Sequence, residues 1–186
     1  MSNAFALLGL PRTAALDPDA LQQAWLTASR ATHPDQPGGD AARAAEVNAA
    51  HQTLLAPEKR LKHLLDLHEV PWKAVPISEE MMTLFSRIGT ALQSTASFLK
   101  RRQSAASALA KALLAPDEMR LREDLEALAV QIEADREKHL ATLPALDTRL
   151  QSGDSTVLPD LQILQARLAY LSKWQQQLRE ALLSLM

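Results

Sequence analysis

With 186 residues and a formal net charge of −2, the chain can form one large domain or two small ones, and its charge balance excludes a surface given over to nucleic acid. It has no cysteine, which removes disulfides, thiolate metal sites, cysteine-ligated iron–sulfur clusters and cysteine catalysis. No apolar run is long enough to cross a bilayer, and the first residues lack the basic start and long apolar stretch of a secretory signal, so a cytoplasmic protein without membrane contact is expected.

Alanine, leucine, glutamine, glutamate and arginine dominate, and the periodicity is helical throughout, so the predicted fold class is all-α. Phe5, Leu7, Leu8 and Leu10 make a helical turn or two that ends at the bend of Gly9 and Pro11. Asp17 suits a helix cap and Pro18 a first helical position, where its missing N–H is not needed. Leu21, Ala24, Trp25 and Ala28 then form one apolar stripe, and the helix is expected to reach Ala31 or Thr32. Two prolines and two glycines in His33–Asp40 force a loop. Asp40 can cap the next helix, which carries Val47, Ala50 and Leu54 and breaks at Pro57; a further helix follows through Leu61, Leu64, Leu65 and His68.

Residues 69–78 hold Pro71 and Pro76 and read as a linker, whose apolar Trp72, Val75 and Ile77 should pack on a surface. Ser78 can cap the first of three long helices. The first carries Met81, Leu84, Phe85, Ile88, Leu92, Leu99, Leu109 and Leu113 and is expected to stop at Pro116. The second runs through Leu121, Leu125, Leu128 and Ile132 to Pro144, and the third from Leu161 to Leu185 with the spacing of a lengthwise packing seam. Short connections imply antiparallel neighbours and hence a three-helix bundle. The expected domains are residues 1–68, a linker at 69–78 and a bundle at 79–186.

The most informative segment is the loop His33-Pro34-Asp35 between two amphipathic helices. Pro34 fixes its own φ and restricts His33, so an imidazole and a carboxylate are presented in defined geometry at the tip of a hairpin. Such a tip can dock on a basic partner, with Asp35 accepting charge-assisted hydrogen bonds from an arginine. The alternative is a proline-rich turn that merely joins two helices. Val47, Asn48, Ala50 and Leu54 followed by Pro57, Glu58, Lys59 and Arg60 complete the setting, and over about the first 65 residues the chain resembles the J-domain family. The resemblance implies docking on an ATPase chaperone of the seventy-kilodalton heat-shock class (DnaK/HscA type), with His33, Pro34 and Asp35 carrying stimulation of ATP hydrolysis and Arg30 contributing to the contact. The sequence departs from the family in having only Arg30 as a cation on the helix before the loop, Thr32 where an aromatic is common, Gln36 after the motif, and Ala44 and His51 in place of larger aromatic core residues.

A J-like segment joined to a helical bundle at this length, with Leu64, Leu65, Leu67 and His68 at the exit, is similar to the HscB family of iron–sulfur cluster co-chaperones. That resemblance implies a client, the iron–sulfur scaffold protein, held at Met81, Met82, Phe85 and Tyr170. Methionine suits an adaptable binding face. The same stripe of Met81, Leu84, Phe85 and Ile88 also has core spacing, so burial is a competing reading for Phe85 and Met82. Tyr170 and Trp174 share a helix face and suit a core or edge position equally. Lys100, Arg101 and Arg102 read as a solvated face. His33, His51, His63, His68 and His139 show no metal-ligand spacing, and no catalytic motif or cofactor pattern occurs, so an enzyme is not expected. The alternative function is a structural or adaptor protein that keeps a degenerate J-like hairpin and self-associates through its bundle.

Overall fold

The computed structural model describes residues 3–32 and 40–186, and among these the regular structure is helical with no strand. The helices are α1 (Ala4–Leu7), α2 (Pro18–Thr32), α3 (Ala41–Leu55), α4 (Pro57–Leu67), α5 (Glu79–Ser104), α6 (Ala108–Ala112), α7 (Ala115–Leu140), α8 (Leu143–Gln151) and α9 (Leu158–Ser184), with a 3₁₀ turn at Ser155–Val157 before α9. None of the described helices is long and apolar enough to cross a membrane.

Local chemistry sets the boundaries. Asp17 accepts from the Asp19 amide, Asp40 from Ala42 and Ser78 from Met81, so the expected caps close orphan N–H groups. Proline marks starts rather than stops. Pro18, Pro57, Pro116, Pro144 and Pro159 all lie in the first turn of a helix, where no intrahelical donor is lost. Pro116 therefore opens α7 instead of ending the helix before it. That earlier helix ends at Ser104, and the expected single helix to Pro116 is replaced by α5 and the short α6; Leu109 in α6 and Leu113 at its C-cap are exposed rather than part of a core stripe. Residues 143–151, expected as the end of one helix and a polar connection, form α8.

The chain divides into two compact units, residues 1–75 with 139–169 and residues 76–138 with 170–186. This division differs from a bundle beginning at residue 79, because 139–169 belongs with the J-like segment. In the first unit Phe5, Leu21, Val47, Leu54, Leu61 and Leu64 pack with Leu143, Val157, Leu161 and Leu168 in one core. A short J-like segment alone would bury too little apolar surface for high stability, and α8 with the first half of α9 enlarges that core. Trp72, expected to pack, is 83% exposed, and Ile77 is exposed too. Gln162 donates to the Pro71 carbonyl, which fixes the backbone beside Trp72 without covering its ring.

The second unit is a bundle of α5, α7 and the latter part of α9 around Leu84, Ile88, Phe98, Leu125, Ile132, Leu171 and Leu178. Cross-helix pairs give the directions. Arg87 reaches Gln131 and Arg101 reaches Asp117, so α5 and α7 are antiparallel. Gln175 reaches Glu133 and Arg122 reaches the Leu185 carbonyl, so α7 and α9 are antiparallel as well. The basic residues are not simply a solvated face: Arg101 pairs with Asp117, and Arg102 donates to the carbonyls of Ser184 and Leu185, satisfying acceptors at the end of α9.

Candidate functional site

The hairpin of α2 and α3 is the frame for the segment 33–39. His33, Pro34 and Asp35 lie outside the described residues. The backbone N–H of Asp40 donates to the Thr32 carbonyl at 3.3 Å, and Thr32 Oγ1 donates to the Ala28 carbonyl at 3.0 Å. Asp40 also caps α3 at 2.8 Å. The two ends of the segment are thus joined at the mouth of the hairpin. Arg30 is exposed in the last turn of α2.

Between the two helices, the rings of Trp25 and His51 stack with centroids 4.8 Å apart and planes at 27°. The indole Nε1–H of Trp25 donates to Asn48 Oδ1 at 2.9 Å. Asn48 and His51 are three apart on α3, so they meet Trp25 from one face. His51 is buried, its Nε2 has no hydrogen-bond partner among the described residues, and burial pushes its pKa below the ordinary imidazole value.

The lower part of the hairpin is held by Arg60, from the Pro57–Arg60 motif, and by Asp147, which the sequence did not single out. Arg60 Nε donates to the Ala14 carbonyl at 2.8 Å, and its Nη1 donates to the Leu54 carbonyl at 2.6 Å. The Asp147 carboxylate accepts from the amides of Ala14 and Ala15, both at 2.6 Å. Arginine below and carboxylate beside thereby fix the α1–α2 connection through both its donors and its acceptor. His63 Nε2 accepts from the Ala4 amide at 3.0 Å, and its ring stacks on Phe5. His63 and His51 are therefore core histidines, and among the described residues no cluster of His, Asp and Glu is placed to hold a metal.

On the bundle, Met82, Phe85 and Tyr170 are exposed, at 49%, 54% and 39%. The rings of Phe85 and Tyr170 lie 6.1 and 5.8 Å from that of Trp174, which is buried. The three aromatics form a stepped surface with Trp174 as its floor. Met81 is the exception among the expected residues: it is buried in the bundle core. The 3.6-residue period explains this, since Met81, Leu84 and Ile88 share the inward stripe of α5 while Met82 and Phe85 lie on its flanks. Burial, the competing reading for Phe85 and Met82, is not what the structure shows. Trp174 was legible only as a core or edge residue, and its part in the patch depends on pairing between distant helices.

No family model matches the chain. A curated relative, the co-chaperone protein HscB homolog of Chromobacterium violaceum, is 39% identical over 74 residues, covering 36% of this chain and 42% of the relative. The aligned stretch thus spans less than half of that relative's length. Among solved structures, the chaperone HscB from Vibrio cholerae matches with a TM-score of 0.60 and 21% identity over 100% of both chains. The human co-chaperone protein HscB matches with a TM-score of 0.58 and 17% identity, over 97% of this chain and 82% of that one. At these identities the structural likeness establishes the fold: a J-domain followed by a helical bundle.

Proposed function

From a chain that is a partial sequence homologue of an HscB co-chaperone and carries the HscB fold along its length, we propose a co-chaperone, not an enzyme, that docks on a seventy-kilodalton heat-shock ATPase through His33, Pro34 and Asp35 and stimulates its ATP hydrolysis. The observation that supports this reading is the hydrogen bond from Asp40 to Thr32, which joins the ends of the motif segment between two packed helices. With Thr32 and Asp40 already joined, docking would not have to pay for bringing the two ends of the segment together. Asp35 would accept charge-assisted hydrogen bonds from an arginine of the ATPase, while Pro34 limits the backbone of His33. Arg30, exposed one turn before the motif, would add long-range attraction to an acidic face.

The client is held, in this reading, on Met82, Phe85 and Tyr170 over Trp174. Exposed aromatics on a rigid floor are the residue types that anchor protein interfaces. The iron–sulfur scaffold protein is the proposed client. Single-turnover hydrolysis by the ATPase chaperone, measured with the full chain and with Asp35→Asn, tests the first part. Stimulation by the former and its loss in the latter is expected; equal rates with both would refute the reading.

A further inference from the structure

We propose that the Trp25–His51 stack is a proton-sensitive positioning lock of the motif-bearing hairpin: it holds α2 on α3 while His51 is neutral and loosens when His51 takes up a proton. The inference rests on the docking role given above, and it adds a regulation to that same hairpin.

Three features of the geometry carry it. The imidazole lies at stacking distance on the indole, 4.8 Å between centroids, so any outward swing of His51 removes the main ring contact between α2 and α3. The Nε2 atom is buried with no partner among the described residues. In the neutral ring it can be an acceptor left idle, but in the imidazolium it is a charged donor with nothing to receive it. The second tie, from Trp25 Nε1 to Asn48, is to the same α3 face and depends on the indole staying in place.

Among the described residues the surroundings offer no counter-charge. On α2 the facing group is the Trp25 ring, which attracts an imidazolium only weakly beside the cost of burying it. On α4, which packs against α3, the buried titratable groups are Arg60 and His63. Arg60 is a cation occupied with the Leu54 and Ala14 carbonyls, and His63 is occupied with the Ala4 amide. The helix α1 carries no ionisable side chain. Burial lowers the proton affinity of His51, and among the described residues no carboxylate offsets that effect. Protonation thus disfavours the stacked position of His51, and an outward swing would take away the backing of Trp25, about two turns of α2 before Thr32.

The test uses the whole chain. Imidazole NMR of the wild type should show His51 titrating below the ordinary value of about 6.5. Hydrogen exchange of α2 and α3 amides, corrected for intrinsic rates, should show opening that grows as the pH falls, by up to about tenfold per pH unit relative to His51→Phe, which keeps a ring on Trp25 but cannot titrate. ATPase stimulation by the wild type should fall relative to His51→Phe over the same interval. The motif and the ATPase are the same in both arms, so the ratio isolates His51. A His51 titration at or above about 6.5, or coincident exchange profiles, would overturn the lock. The titration needs only the wild type, so a variant that fails to fold does not spoil the test. If the exchange profiles diverge but neither protein stimulates the ATPase at any pH, the docking role is what fails. If they coincide while stimulation is intact, the docking role stands without the lock.

Discussion

Asp40 donates its backbone N–H to the carbonyl of Thr32, closing the mouth of the α2–α3 hairpin across residues 33–39. Its carboxylate meanwhile accepts from the Ala42 amide and starts α3. Replacement of Asp40 by alanine keeps the backbone bridge but leaves an orphan N–H at the first turn of α3, a loss of about 1 kcal/mol. Thermal or urea unfolding should register that loss. Hydrogen exchange should place it at the start of α3, and stimulation of the ATPase should weaken less than with Asp35→Asn.

Asp147 accepts from two backbone amides of a connection more than a hundred residues away, the buried one of Ala14 and the part-buried one of Ala15. In the Asp147→Ala protein both amides lose a charged acceptor, and a cost of about 3 kcal/mol follows. Asp147→Asn keeps one carbonyl oxygen but turns an NH₂ toward a donor, so it should fall between the two. The expected signature is early unfolding of residues 1–75 with 139–169, while the bundle around Leu125 and Phe98 keeps its exchange protection. A uniform loss across both units would contradict the assignment.

The contrast between Asp147 and the caps explains what the sequence could reveal. Caps and the stripes of α2, α3 and α9 follow from local stereochemistry, and Asp17, Asp40 and Ser78 were recognisable from a few neighbouring residues, whereas Pro116 and Pro144 suit a stop or a first turn alike and open α7 and α8. The motif and its flanking residues were likewise contiguous. Asp147 sits in α8 between Leu146 and Thr148 with no local motif around it, and its role is fixed by tertiary approach alone. The same holds for Trp174, whose partners Phe85 and Tyr170 come from two helices. Met81 and Met82 show the limit of periodicity: adjacent methionines differ by about 100° around the helix, and only the packed bundle decides which one faces inward.

The patch separates binding from stability. Phe85→Ala and Tyr170→Ala remove exposed rings, and each should change stability by no more than about 1 kcal/mol. Trp174→Ala empties a buried position and should cost about 3–5 kcal/mol. If the patch holds a client, titration calorimetry with the iron–sulfur scaffold protein should show weakened binding for the first two variants despite near-native melting temperatures. Unchanged affinity in both would remove the patch from the client role.

His63 gives a pH dependence of known sign. Burial, the largest influence, lowers its pKa; Lys62 and Arg12 act in the same direction and Asp66 opposes them. Its Nε2 accepts from the Ala4 amide, a bond that only the neutral ring can make. As the pH falls below about 6.5, the unfolded chain takes up this proton before the folded one. Stability from His63 is therefore complete above that value and is lost as the pH falls through the lower folded value, with a slope of up to about 1.4 kcal/mol per pH unit. His63→Gln offers an amide oxygen to Ala4 without titrating, so its unfolding free energy should depend less steeply on pH between about 5 and 7 than that of the wild type. Equal slopes in urea unfolding series of the two proteins would show that the ring is protonated alike in both states and that the Ala4 hydrogen bond contributes nothing to the pH response.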